Sequence, residues 1–291
     1  MGWKTYTNRE REPMTVAQYM RNYFHISARD GQTLFRKKRV KVNGRVAHSK
    51  RIVKEGDRIT WQPLQDTSYG VTVEEGPVDV LYEDNYTLVV NKPPYMVVHP
   101  TGQTMTHTLS NYIAGYYHAK GELHTIRPVH RLDRDTSGCI VFAKTKEAQR
   151  YYTEQLEQGG IHRVYRALVR GCMSGSDTIC APIGIDPLHP NRRIVVADGQ
   201  EAITHYTVLF HDDEQSELEL TLSTGRTHQI RVHLAHIGHP VLGDGMYGKR
   251  DSSYTRQSLH AAALHFQPFL KDAPIVVVAP VPADFGKEKR V

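Results

Sequence analysis

His130–Gly138 reads H-R-L-D-R-D-T-S-G and runs directly into the apolar stretch Cys139, Ile140, Val141, Phe142 and Ala143. Turn formers followed by a short, unbroken apolar run predict a loop that enters a buried strand. Thr136 and Ser137 are able to bond the local backbone, and Gly138 tolerates positive φ, so the loop is expected to be ordered before any ligand arrives. Asp133 then sits near a strand edge between Arg131 and Arg134. It is a candidate for chemistry, the plain alternative being a turn cap or an ordinary ion pair.

Outward from this strand, short apolar runs dominate the chain from Val78 onward. Val80–Tyr82, Leu88–Val90, Tyr165–Val169, Arg193–Val196, Tyr206–Phe210, Leu218–Leu222, Leu264–Phe266 and Ile275–Val278 all read as strands. Helical spacing is rarer. It occurs in His107–His118 (Leu109, Tyr112, Ile113, Tyr116), Lys146–Gln158 (Ala148, Tyr151, Tyr152, Leu156) and Thr227–Gly238 (Ile230, Leu234, Ile237). Many strands with few helices predict an α+β body, a mixed and mostly antiparallel sheet with flanking helices.

The N-terminal part has a different character. Thr15 is placed to cap a helix whose Val16, Tyr19, Met20, Tyr23 and Phe24 share one face. A shorter helical turn is expected near Ser27. Val40–Val46 reads as a strand broken by the Asn43-Gly44 turn, and Ile52, Val53, Ile59 and Trp61 supply further short strands. Residues 1–63 hold 15 Lys or Arg against 5 Asp or Glu, whereas the whole chain is only +6. A basic N-terminal piece on a mildly acidic body suits a polyanion-holding part joined to a part that does chemistry. The expected division is a small basic module at 1–64, a turn-rich and mobile linker at 65–77, and a body at 78–291.

Composition excludes several classes. At 291 residues the chain is long enough for a sizeable core. It has no apolar run of 18 residues and no signal-like start, so a soluble, cytoplasmic protein that avoids the membrane is expected. Cys139, Cys172 and Cys180 form no C-x-x-C pair and are expected to be reduced and mostly buried. His228, His233, His236 and His239 cluster, but no carboxylate or cysteine joins them at ligand spacing, so no metal site is expected. The phosphate-cradling glycine motifs of nucleotide-binding proteins are absent as well, and no cofactor is expected.

Three further segments accompany the Asp133 loop: Asn91-Lys92-Pro93 after a strand, Arg163-Val164-Tyr165 with Val169 and Gly171 behind it, and Thr224–His233, T-G-R-T-H-Q-I-R-V-H. In this order the four blocks resemble the RluA-type RNA pseudouridine synthases over most of residues 78–285. The stretch from about Pro13 to Pro63 is similar to a small RNA-binding module named after a ribosomal small-subunit protein. There Arg36, Lys37, Lys38, Arg39, Lys41 and Arg45 would face phosphates. The match is looser at Asp30-Gly31-Gln32, where that module usually continues its second helix.

The resemblance implies an isomerase that detaches uracil N1 from ribose C1′ and rejoins the base through C5. It assigns catalysis to Asp133 and substrate contacts to Tyr165 and Arg231, with Arg231 as the cation that keeps the carboxylate ionised. Arg131 is expected to stack in the gap left by an everted uridine, a salt bridge to Asp135 being its alternative. Asn91, Lys92 and Pro93 are assigned to scaffold. The expected partner is structured RNA, ribosomal RNA of the large subunit before transfer RNA, and a monomer is expected. Two other readings stay open at this point: an RNA-binding protein with a synthase-like but inactive body, and a glycosidase, which would need a second carboxylate.

Overall fold

A computed structural model describes residues 2–249 and 253–286. The outer limits expected for the module and the body, residues 1 and 291, fall outside them.

The N-terminal part comprises β1 (Lys4–Thr7), β2 (Met14–Thr15), α1 (Val16–Phe24), α2 (Ala28–Arg36), β3 (Val40–Val42), β4 (Arg45–Val46), β5 (Ile52–Val53) and β6 (Arg58–Trp61). Thr15 caps α1 through a capping box with Gln18, and the helix buries Val16, Tyr19, Met20 and Phe24 against Val53, Ile59 and Trp61. Ser27 accepts from the Asp30 amide, so α2 is a full nine-residue helix that runs through Gly31. The sequence suggests only a turn there because it underrates the cap. Asn43 and Gly44 both have positive φ, as the tight β3–β4 hairpin requires.

The body is built on one nine-stranded sheet. Its strands are β7 (Asp79–Glu83), β8 (Thr87–Lys92), β9 (Ser137–Ala143), β10 (His162–Arg170), β11 (Ser176–Cys180), β14 (Ile203–His211), β15 (Gln215–Leu222), β16 (Leu259–Phe266) and β17 (Ile275–Val278), while β12 (Ile183–Ile185) and β13 (Arg193–Val195) form a separate hairpin. The path runs β11-β14-β15-β10-β16-β9-β8-β7, with β17 also on β16. Every pairing is antiparallel except β9 with β16, so the sheet is mixed and mostly antiparallel, as expected.

The central strands are covered on both faces. Leu88, Val90, Ile140 and Phe142 pack under α3 (Leu109–Ala119) through Leu109, Ile113 and Tyr117. Val89, Cys139 and Val141 point the other way, toward Ala148 and Tyr152 of α4 (Lys146–Glu157). All seven residues of β9 are buried, which is why it reads as a continuous apolar run instead of an alternation. A third helix of the body, α5 (Gln229–His236), completes the first face with Ile230 and Leu234.

Two expectations need correction. Segment 65–77 is not free: Asp66 pairs with Arg127, the Tyr69 hydroxyl donates to the Glu122 carbonyl, and Gly115 of α3 has no room for a Cβ because the Glu74 carbonyl lies there. The turn-rich composition hides this because most of the contacts are polar or made by backbone. Of the thiols only Cys139 is buried; Cys172 and Cys180 are exposed, since they fall beside and on the edge strand β11. Among the described residues no helix is long and apolar enough to cross a membrane.

Candidate active site

The Asp133 loop is held by groups that the apolar pattern does not reveal. Lys92, fully buried at the end of β8, donates from Nζ to the carbonyls of Pro93, Met96 and Arg134 at 2.8, 2.8 and 2.9 Å. Buried Arg256 donates to the Asp135 carbonyl and to Ser137 Oγ, and Gln257 donates to Thr136 Oγ1. Gly138, at φ 111°, lets β9 meet β16, since a Cβ there would stand 2.2 Å from the Ala261 carbonyl oxygen. The loop is thus tied by side chains to β8 and to the segment before β16.

Arg231 reaches this loop from α5. Its Nη1 donates to Asp133 Oδ2 at 2.9 Å, while Nε and Nη2 form a two-pronged pair with Asp244 at 2.7 and 3.0 Å. Burial works against a charged guanidinium, but the pairing with Asp244 and Asp133 outweighs it and carries the Arg231 pKa above its ordinary value. Asp244 is almost fully buried and also accepts from the Met246 and Tyr247 amides, so its orientation is fixed. One cation thus serves two carboxylates. Asp244 spends its lone pairs on protein donors, whereas Asp133 Oδ1 makes no hydrogen bond among the described residues.

Asp133, Arg131, Tyr165 and Arg231 line a single cavity of about 480 Å³, within the usual size range of ligand clefts. Tyr165 projects from β10 beside a register shift against β16, a local distortion that re-aims side chains. Its ring is buried and its hydroxyl makes no hydrogen bond among the described residues, so burial raises its pKa and keeps the phenol neutral. Arg131 stands exposed at the rim. The alternative bridge to Asp135 is not formed, because Arg134 occupies that carboxylate at 2.8 and 3.0 Å.

The sequence predicts no site role for Asp244, Tyr247 or His228, the last standing there only among clustered histidines and inside Thr224–His233. His228 caps α5 in a left-handed conformation (φ 59°) and sets Nε2 3.9 Å from Asp133 Oδ2. Its Nδ1 lies 2.8 Å from the Tyr247 hydroxyl, whose oxygen also accepts from the Arg193 amide, so the phenolic proton is left to bond His228 Nδ1 and the Nε2–H form of the imidazole faces the cavity. Tyr247 in turn lies under the Arg231 guanidinium. The signal for this group was Asp244-Gly245-Met246-Tyr247, an aspartate turn ahead of an aromatic residue. The clustered histidines have structural partners: His233 bonds Thr204 and the Ala181 carbonyl, and His239 bonds the Arg170 carbonyl.

Comparisons with known proteins identify the family. Residues 85–236 match the family model described as RNA pseudouridylate synthase. An uncharacterized RNA pseudouridine synthase, YhcT of Bacillus subtilis, is 44% identical over 84% of this chain and 82% of its own length. The ribosomal large subunit pseudouridine synthase D of Xylella fastidiosa is 37% identical over 84% of this chain and 78% of its own. Among solved structures, human RNA pseudouridylate synthase domain containing 1 superposes with a TM-score of 0.59 at 27% identity, covering 72% of this chain and 86% of that one. The matched span contains the Asp133 loop, the Tyr165 strand and Arg231, and the chain therefore belongs to the RNA pseudouridine synthases of the RluA type, isomerases that act on RNA.

Proposed function

We propose that this protein isomerises uridines in large-subunit ribosomal RNA with Asp133 as its one reacting carboxylate and with no cofactor. The observation that carries the reading is the Asp133–Arg231 pair: a carboxylate with one oxygen on a guanidinium and the other uncommitted, at the wall of a cavity of nucleoside size. Three routes are open to such a group: attack on C1′, addition to the base, or proton removal from C2′ beside a positively charged sugar. Each needs an ionised carboxylate in a pocket that limits water, and Arg231 offsets the cost of burying it.

In this reading Tyr165 packs on the target base and Arg131 fills the gap in the RNA stack once the uridine is everted, a step that costs a few kcal/mol. The ribosomal target is supported by relatives named for the large subunit and by the basic module, which would hold RNA by its phosphates without reading sequence. Residues 1–64 would be that module, 78–291 the catalytic body, and the protein would act as a cytoplasmic monomer. A glycosidase would need a second carboxylate beside Asp133, and Asp135 is taken by Arg134 and Asp244 by Arg231 and two amides, which among the described residues leaves only the exposed Glu157 on the cavity wall.

The test uses ribosomal RNA and transfer RNA tritiated at uracil C5. Tritium release from the ribosomal substrate, abolished by Asp133→Asn, is the expected outcome. Release of free uracil would indicate a hydrolase, release only from transfer RNA would move the target, and undiminished release by Asp133→Asn would remove the aspartate from the chemistry.

A further inference from the structure

Besides Arg131 and Arg231, the cavity holds a buried guanidinium that the reaction does not account for. Arg163 precedes Tyr165 by two positions on β10 and shares its face of the strand; it is 8% exposed. Of its five N–H donors, one is used among the described residues: Nη2 bonds the Thr224 carbonyl at 3.2 Å. Its buried Nε has no partner, and among the described residues no carboxylate lies within 4.0 Å. Glu157, on the same cavity wall, is outside that distance. An unpaired charge is costly to bury, and an orphaned buried donor adds to the cost. Arg231, by contrast, has two carboxylates.

The surroundings of Arg163 are arranged as a donor pocket. Gly225 passes so close that a Cβ would stand 2.9 Å from Arg163 Nη1, so the bare backbone makes room for the guanidinium. His130 lies beside it: Val141 N–H points to Nε2 at 3.4 Å, which leaves the ring proton on Nδ1, and the buried Nδ1 has the Arg131 backbone near it but no hydrogen bond of good geometry. Burial and then the Arg163 charge push the His130 pKa down to about 3, so the ring is a neutral donor and not a second cation.

We propose that Arg163, with His130 Nδ1–H beside it, is an anion subsite that receives a phosphate of the nucleotide whose base enters the Asp133 cavity. The proposal rests on the uridine-binding reading above and adds the group that holds the nucleotide's backbone. The fork of a guanidinium matches two phosphate oxygens, and an anion supplies what the unpaired cation lacks. Bringing that anion in also draws C1′ toward Asp133, since base and phosphate flank the sugar.

Uridine and uridine 5′-monophosphate, titrated into the full-length protein and followed by the NMR signal of the Arg163 Nε–H and by the ring signals of Tyr165, test this directly. The wild-type protein is expected to prefer the monophosphate by about tenfold or more. Arg163→Met is expected to lose that preference while still binding uridine, and Arg163→Lys, which keeps the charge without the fork, to retain part of it. Thermal unfolding of Arg163→Met should occur at or above the wild-type temperature, because the variant removes an unpaired buried cation. On ribosomal RNA, Arg163→Met should raise KM more than it lowers kcat and should flatten the salt dependence of log KM by about one phosphate contact. Equal wild-type affinity for the two compounds overturns the proposal, and so does a preference that survives in Arg163→Met. Neither result touches the role of Asp133, which stands or falls on tritium release.

Discussion

At the level of single residues, Asp133 depends on a carboxylate that never reaches the cavity's chemistry. Asp244 holds Arg231 by two bonds and is itself fixed by two amides, so the guanidinium has one remaining direction for Nη1, toward Asp133. Asp244→Asn halves the acceptor strength and leaves a buried cation underpaired. The expected outcome is a loss of about 3 kcal/mol in unfolding free energy, read by urea denaturation, because breaking a buried pair is far costlier than never having made it. Arg231 would also swing, and misplacement by about 1 Å lowers kcat by roughly two orders of magnitude. Single-turnover tritium release measures this. A variant with wild-type kcat would mean that Asp133 alone positions Arg231.

Among elements, β7, α3 and the end of β9 are tied by one side chain. Glu83 accepts from Lys120 at 2.8 Å, from Lys144 at 2.5 Å and from the Tyr116 hydroxyl at 2.7 Å. Burial alone would raise its pKa, but these donors, Lys120 first, bring it down to about 2. A carboxylate depressed in the folded state contributes stability that is complete above its ordinary pKa near 4.5 and is lost as pH falls from there toward 2. Glu83→Gln should therefore cost about 2 kcal/mol at pH 7 after allowing for solvent screening, and nearly nothing at pH 2. Unfolding midpoints measured across that interval check it; a constant difference would mean that the contribution is packing. The same elements show what a sequence discloses. β8 and β9 are legible because their apolar runs are long and buried on both faces. β11 is not, because Ser176–Cys180 is an edge strand with one buried residue, and the two-residue β2 carries no period at all. In the site, Asp133, Tyr165 and Arg231 are legible as motifs. Asp244 and His228 are not, because their importance lies in partners brought together only by the turn after α5 and the left-handed cap before it.

For the molecule as a whole, charge is divided unevenly between its two parts, with 15 Lys or Arg against 5 Asp or Glu in residues 1–63. The N-terminal part docks on the body through His25, whose Nδ1 lies 2.7 Å from Glu154 and whose ring meets Tyr151 and Phe269 edge-on, with Tyr6 and Lys4 against Tyr86. Arg36, Lys37, Lys38 and Arg45 remain exposed after this docking, whereas Arg39 is partly withdrawn to bond the Pro63 carbonyl and Lys41 lies over Trp3. The free cations are thus fewer than the basic run suggests. Replacing Arg36, Lys37 and Lys38 with Gln is expected to leave folding intact, since none is buried, and to weaken binding of ribosomal RNA about equally across sequences. The plot of log affinity against log salt should lose a slope of roughly three if each cation neutralises one phosphate. At saturating RNA the rate of tritium release should not change, because these residues lie outside the Asp133 cavity. An unchanged salt slope would mean that the RNA meets another face, and a reduced saturating rate would mean that the module takes part in presenting the uridine as well as in holding the RNA.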